Sequence, residues 1–188
     1  KQKFKIIEIP IHYKKRLGSS KLKALTDGWR HLRFMLLYSP LFLFFIPGIT
    51  LFTIGLLKLI IFYIKNPSIF GVTFYFHPMF LSSLLTITGY QIIFFSFFAK
   101  IYAMTHLAEE NKIINNLYKY ITLEKAIKFG SLAILIGLII FTNILYKWVK
   151  KDFGQLDEIK NSILALTIIT LGVQTIFSSF MLSILGIK

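Results

Sequence analysis

Cysteine is absent from this 188-residue sequence, and acidic residues are scarce. The lack of cysteine excludes disulfide bonds and thiolate metal sites. Only eight Asp and Glu residues stand against 22 Lys and Arg, and no Asp-x-Asp pair is present to hold a divalent metal with a nucleotide. The four histidines are scattered, without metal-ligand spacing or a partnering carboxylate. The sequence therefore offers no catalytic residue, no metal ligand and no cofactor site of its own.

Charge as a whole is also sparse. Charged residues make up 16% of the chain, whereas a soluble domain carries about a quarter. Hydrophobic residues make up 55% and are gathered in runs longer than a soluble core helix needs. These features predict an integral membrane protein. The net charge of +14 does not predict a nucleic-acid partner, because the basic residues follow the pattern of a membrane protein's cytoplasmic side.

The long apolar runs predict an all-α membrane domain over residues 39–188 with four transmembrane helices. The predicted spans are 41–64, 79–101, 126–148 and 162–186. Pro40 predicts a break before the first span and Pro47 a kink inside it. The second span ends in a phenylalanine-rich run closed by Lys100, which is typical of an anchor at the membrane–water interface.

Small and polar residues inside the spans predict how the helices meet. Gly130 and Gly137 fall on one stripe of the third span, which would let a partner helix approach closely. Gln91, Asn143 and Gln174 are polar side chains within spans, and hydrogen bonds between helices are their expected role. No Asp or Glu lies inside a span, which argues against a proton-coupled transporter.

An amphipathic segment precedes the first span. Apolar residues recur at spacings of three and four over residues 22–38, with charged residues on the other side. This pattern predicts a helix that lies in the headgroup plane of the membrane. We expect Trp29, Arg30 and Arg33 to lie at that interface.

Residues 1–21 are predicted to be the end of a soluble domain that precedes this sequence. Alternating apolar residues over 1–13 predict a strand, and Pro10 restricts it to a sheet edge because proline cannot donate a ladder hydrogen bond. A basic loop follows, with Arg16, Ser20 and Lys21 beside a glycine. Backbone amides, hydroxyls and cations in this combination suit a phosphate group. A generic polybasic anchor for anionic lipids fits the same spacing equally well.

The distribution of Lys and Arg predicts the orientation. With the amino terminus in the cytoplasm, 16 of the 22 basic residues lie on the cytoplasmic side. The positive-inside rule therefore places both termini of this multi-pass protein in the cytoplasm, and a cell membrane is the expected location.

Three motifs in order carry a resemblance to a known family. They are a Glu-x-Pro strand at Glu8, an Arg-x-Gly-x-Ser-Lys loop from Arg16 to Lys21, and a Trp-Arg-His helix at Trp29, followed by Pro47-Gly48. Together they resemble family-2 glycosyltransferases of the dolichol-phosphate or polyprenyl-phosphate mannosyltransferase type, in particular multi-span bacterial and archaeal members. The motifs cover about the first fifty residues, and the hydropathy pattern alone extends the resemblance to the rest of the chain.

The resemblance implies the carboxyl-terminal membrane part of such an enzyme. That enzyme would transfer a sugar from a nucleotide donor to a polyprenyl or dolichyl phosphate. It implies that Arg16, Ser20 and Lys21 bind the lipid phosphate or the donor diphosphate. It also implies that the nucleotide-sugar domain, with a catalytic carboxylate and a divalent Mg or Mn ion, lies upstream as a partner of this region, so that this chain alone would be inactive.

A different class of protein fits the same residues. This alternative is a stand-alone, non-enzymatic membrane module, either a component of a flippase for lipid-linked sugars or a partner subunit. The bilayer is a partner in both cases, and a homo-oligomer is compatible with both.

Overall fold

The computed structural model describes residues 7–12, 24–38, 41–69, 72–106 and 122–186, and these residues are almost entirely helical. In chain order the elements are helix α1 (Ala24–Tyr38), a π-helix (Leu41–Phe45), α2 (Ile46–Ile64), strands β1 (Ser68–Ile69) and β2 (Val72–Thr73), α3 (His77–His106), α4 (Leu123–Lys150) and α5 (Ile159–Gly186). The two short strands form an antiparallel hairpin in which Ser68 pairs with Thr73.

Four of the described helices are long and apolar enough to cross a membrane. They are Phe42–Ile64, His77–Thr105, Leu123–Lys150 and Ile159–Gly186, with 23, 29, 28 and 28 residues. A membrane-spanning helix needs about 20 residues. The predicted class, an all-α protein with four transmembrane helices, is therefore confirmed, and the chain is a multi-pass membrane protein.

The helices alternate in direction, which gives the bundle two ends. The end at which α2 and α4 begin and α3 and α5 finish is called the α1 end here, because α1 leads into it through the π-helix. The opposite end, which carries the hairpin and the turn between α4 and α5, is called the loop end. The main helix contacts join α2 to α3, α3 to α5, and α5 to α4.

Glycines let the paired helices approach until their backbones touch. A Cβ atom added to Gly89 of α3 would lie 2.3 Å from the Phe52 backbone nitrogen of α2. Between α4 and α5, a Cβ on Gly137 would lie 2.4 Å from Cγ1 of Ile169, and one on Gly172 would lie 2.7 Å from the Gly130 carbonyl oxygen. The small-residue stripe predicted for the third span thus has α5 as its partner helix.

Hydroxyl groups rather than amides join α3 to α5. The Ser83 and Thr167 hydroxyls share a hydrogen bond of 2.7 Å, and so do the Tyr90 and Thr175 hydroxyls. Ser83 and Thr167 are both buried. These pairs hold two helices together where no hydrophobic effect drives them against each other, because lipid tails are as apolar as the helices.

The predicted kink at Pro47 is not where the backbone departs from regular helix. Pro47 lies in the first turn of α2, where its missing N–H removes no intrahelical hydrogen bond. The irregular segment comes just before it, in the π-helix Leu41–Phe45.

The edge strand predicted near the amino terminus is wrong for the residues that the structure describes. Residues 7–12 form no strand, and Ile7, Ile9 and Ile11 are 76–79% exposed. No neighbouring strand is at hand in the described part of the chain to pair with this segment, and an isolated strand does not persist without one. Residues 1–6 and 13 of the same prediction lie outside the described residues.

Candidate functional site

Helix α1 presents an apolar stripe and two cations on adjoining faces. Leu25, Trp29 and Leu32 are 91%, 62% and 45% exposed, and their spacing puts them on one side of the helix. Arg30 and Arg33 are exposed beside that stripe. An apolar stripe of this kind needs a bilayer or another protein surface to cover it.

The ion pair between Asp27 and Arg30 on α1 is weak. Nη1 of Arg30 lies 3.9 Å from Oδ1 of Asp27, at the outer limit of an ion pair, and the Arg30 side chain is 78% exposed. Exposed pairs of this kind contribute about 0.2–1 kcal/mol. The Arg30 guanidinium therefore keeps hydrogen-bond donors available for an anion.

Close to the α1 end, helix α3 buries two polar side chains. Ser96 is fully buried and Lys100 is 7% exposed, one helical turn farther along α3. The Ser96 hydroxyl has no hydrogen-bond partner in the described part of the chain. Lys100 was predicted to be an anchor at the membrane–water interface, and its side chain is packed within the bundle.

The π-helix packs against the same end of α3. The rings of Phe45 and Phe97 lie 6.1 Å apart between centroids, and a Cβ on Gly48 would lie 2.9 Å from the Ile93 backbone nitrogen. Because Ile93 precedes Ser96 by three residues and Phe97 precedes Lys100 by three, the side of α3 that carries Ser96 and Lys100 faces the π-helix and the start of α2. A π-helix is rare and is frequently found at functional sites.

Comparison with known proteins decides the family. Residues 97–186 match the family model for the glycosyltransferase family 2 C-terminal transmembrane region. The chain contains a glycosyltransferase family 2 membrane region. Over 181 residues, it is 32% identical to the low-salt glycan biosynthesis hexosyltransferase Agl6 of Haloferax volcanii. The alignment covers 96% of this chain but 44% of that relative, so the chain spans less than half the relative's length. No solved structure matches.

Only part of the predicted site lies within the described residues. Arg16, Ser20 and Lys21 lie outside them, and their role stays a prediction. Trp29 and Arg30 lie on α1 as expected from the sequence. Within the described ranges, no group of three or more His, Asp or Glu residues could hold a metal ion.

Ser96 and Lys100 were not singled out as a pair by the sequence analysis. The available signal was their spacing of four in an otherwise apolar run, which places them on one face of a helix. Burial could not be deduced from that spacing, because a lysine near the end of a span usually extends toward the interface.

A lipid-facing groove of about 320 Å³ runs along the seam between α3 and α5. Its lining includes Phe94, Phe95, Phe98, Phe177, Gln91 and Gln174. The helical spacing puts the lining residues of α3 on the side opposite Ser96 and Lys100. The groove and the Ser96–Lys100 pair are therefore separate features.

At the loop end, a polar network ties three helices together. Nζ of Lys147 donates a hydrogen bond of 2.6 Å to Glu158, and Nδ2 of Asn161 donates to the other carboxylate oxygen. The Tyr63 hydroxyl donates to Asn161 across 2.9 Å. The hydrogen bonds from Lys147 and Asn161 hold the pKa of Glu158 below its ordinary value of 4.5. This network fixes the turn between α4 and α5 against the end of α2.

Proposed function

We propose that this region anchors a family-2 glycosyltransferase in the membrane and presents the phosphate of a polyprenyl or dolichyl phosphate to a nucleotide-sugar domain. The sugar would then pass from its nucleotide donor to that phosphate at the cytoplasmic face. A divalent metal and the catalytic carboxylate would belong to the nucleotide-sugar domain.

The observation that carries this proposal is the layout of α1. Its exposed apolar stripe, formed by Leu25, Trp29 and Leu32, adjoins exposed Arg30 and Arg33. This layout supports an acceptor whose tail lies in the bilayer and whose charged head lies at the surface. The Haloferax volcanii relative is a hexosyltransferase of glycan biosynthesis, which supports the same reaction class.

The basic loop supplies the remaining contacts in the proposal. Arg16, Ser20 and Lys21 precede α1 directly, so they would meet a phosphate held at its level. An arginine can bind a phosphate through two parallel hydrogen bonds, while a lysine acts as a point charge. The proposal places both termini and this loop in the cytoplasm.

Lipid selectivity tests the proposal against a simple charge anchor. The 188-residue chain is reconstituted in phosphatidylcholine nanodiscs with equal amounts of a polyprenyl phosphate and phosphatidylglycerol, and the bound lipids are counted by native mass spectrometry. The monoester carries up to one more negative charge than the diester, and a simple charge anchor would prefer it about fivefold for that reason alone. A hydrogen-bonded phosphate site adds about 1.5–3 kcal/mol for a bond to a charged group, so we expect a preference of about fiftyfold or more for polyprenyl phosphate.

Two charge-neutralising variants sharpen the result. Replacing Arg30 and Arg33 by Gln should reduce the preference, whereas Lys65→Gln, which removes an exposed charge at the loop end, should leave it unchanged. A preference of about fivefold or less in the unmodified chain would contradict acceptor presentation and leave the polybasic anchor.

A further inference from the structure

The Ser96 hydroxyl is an exception among the buried hydroxyls of the described helices. Ser82, Thr86 and Thr167 each donate to the carbonyl four residues earlier on their own helix, at 2.6–2.8 Å. Ser96 is 0% exposed, and its oxygen has no such partner in the part of the chain that the structure describes. A buried hydroxyl left without a hydrogen bond costs about 1–3 kcal/mol. Ser96 therefore does not stabilise the fold through its hydroxyl, and the presence of a serine at this buried position needs another explanation.

Lys100 provides the second observation. Its side chain is 7% exposed although it lies six residues before the end of α3. Charged side chains that face the interior of a transmembrane bundle are rare and often functional. Because Lys100 follows Ser96 by four residues, the two side chains leave α3 on the same face.

The chemistry of the two groups selects the ligand class. An ammonium has three donors and no acceptor, and a hydroxyl can donate one hydrogen bond. Both are suited to oxygen acceptors that carry negative charge, and a phosphate monoester offers several such oxygens on one atom. The pair lies on the side of α3 that faces the π-helix, and α1 leads into that π-helix.

We propose that Ser96 and Lys100 are a membrane-embedded binding pair for the phosphate monoester of the lipid carrier. The inference rests on the proposed function, because it assigns part of the phosphate contact to α3 rather than to the basic loop alone. The phosphate reaches the pair along the seam between α3 and the π-helix. The Lys100 ammonium balances the charge, and the Ser96 hydroxyl donates the hydrogen bond that it does not make within the chain.

The test measures affinity for a polyprenyl phosphate in nanodiscs of phosphatidylcholine, with the complete 188-residue chain. Ser96→Ala should weaken binding about tenfold through the loss of one hydrogen bond to a charged group. Its thermal unfolding midpoint should not fall, since no hydrogen bond within the chain is lost. Lys100→Gln should weaken binding by a similar or larger factor, and Lys100→Arg should restore most of it.

The matched control is Lys128→Gln, which removes the same charge from an exposed position at the same end of the bundle. It should bind polyprenyl phosphate as the unmodified chain does. Competition with phosphatidylglycerol and with inorganic phosphate identifies the source of the phosphate. Neither should displace the polyprenyl phosphate at equal concentration.

The outcomes separate this inference from the proposed function. If the unmodified chain shows no preference for polyprenyl phosphate over phosphatidylglycerol, the proposed function fails and the inference fails with it. If the preference is present but Ser96→Ala binds as tightly as Lys128→Gln, acceptor presentation stands and the Ser96–Lys100 pair is not its site. Should Lys100→Gln not fold, the Ser96→Ala result decides alone.

Discussion

Replacing Gly89 by alanine should force α2 and α3 apart. The new Cβ would lie 2.3 Å from the Phe52 nitrogen and 2.8 Å from the Gly48 carbonyl oxygen, whereas ordinary contact begins at 3.4 Å. Lengthening the contact with the Phe52 nitrogen from 2.3 Å to 3.4 Å requires a displacement of about 1.1 Å. The opposing atoms are backbone, so no side chain can rotate out of the way.

The cost of Gly89→Ala follows from that displacement. Overpacking a tight core costs about 1–3 kcal/mol, and we take the upper value because backbone must move. Alanine returns about 1 kcal/mol through its higher helix propensity. The remaining loss of about 2 kcal/mol lowers the unfolding midpoint by about 4–8 °C for a chain of this size. Far-UV circular dichroism of the chain in nanodiscs measures that midpoint.

Gly28→Ala is the matched control, because a Cβ at Gly28 of α1 would meet no atom within 4 Å. This variant gains helix propensity without a clash, so its midpoint should stay the same or rise. If Gly89→Ala is as stable as Gly28→Ala, the reasoning that glycine permits backbone contact between α2 and α3 is refuted.

Three further predictions concern other parts of the bundle. Tyr90→Phe removes one hydroxyl–hydroxyl hydrogen bond between α3 and α5, and the unfolding midpoint should fall by about 2–4 °C for a loss of about 1 kcal/mol; an unchanged midpoint would show that this bond contributes nothing. At pH values above 4.5, the ordinary pKa of glutamate, the depressed pKa of Glu158 stabilises the fold. The free energy of unfolding should therefore decrease as the pH drops below 4.5, and Lys147→Met should make this decrease smaller. Because the chain has no cysteine, single-cysteine variants report orientation without background: a membrane-impermeant maleimide should label Gln155→Cys in intact cells and Glu124→Cys only after permeabilisation, and the reverse pattern would overturn the proposed orientation.

Hydropathy and periodicity predicted most of the fold. Long apolar runs leave few alternatives to membrane-spanning helices, because every backbone polar group must be satisfied within the bilayer. The amphipathic period before the first span likewise predicted α1. These features depend on local sequence, which is why they could be deduced from a single chain.

Contacts between distant residues could not be deduced in the same way. The stripe containing Gly130 predicted a close partner helix but could not identify Gly172 of α5 as the contact. Amides were expected to join the helices, whereas hydroxyls such as those of Ser83 and Thr167 do so between α3 and α5. The rotation of each helix about its own axis decides such contacts, and that rotation depends on all neighbours at once.

The predicted edge strand failed for a similar reason. Alternating residues such as Ile7 and Ile9 are typical of a strand, but a strand also requires a partner with which to pair. The described residues offer that segment no such partner. Local pattern alone was therefore insufficient to predict its structure.

Sugar transfer to lipid is the measurement that tests the central claim most directly. The natural protein that carries this chain is incubated in membranes with labelled nucleotide-hexoses, with and without added polyprenyl phosphate, and the label is followed into organic solvent. The account predicts a labelled, acid-labile lipid whose formation requires polyprenyl phosphate. Label found only in water-soluble or protein products, or unaffected by added polyprenyl phosphate, would contradict it.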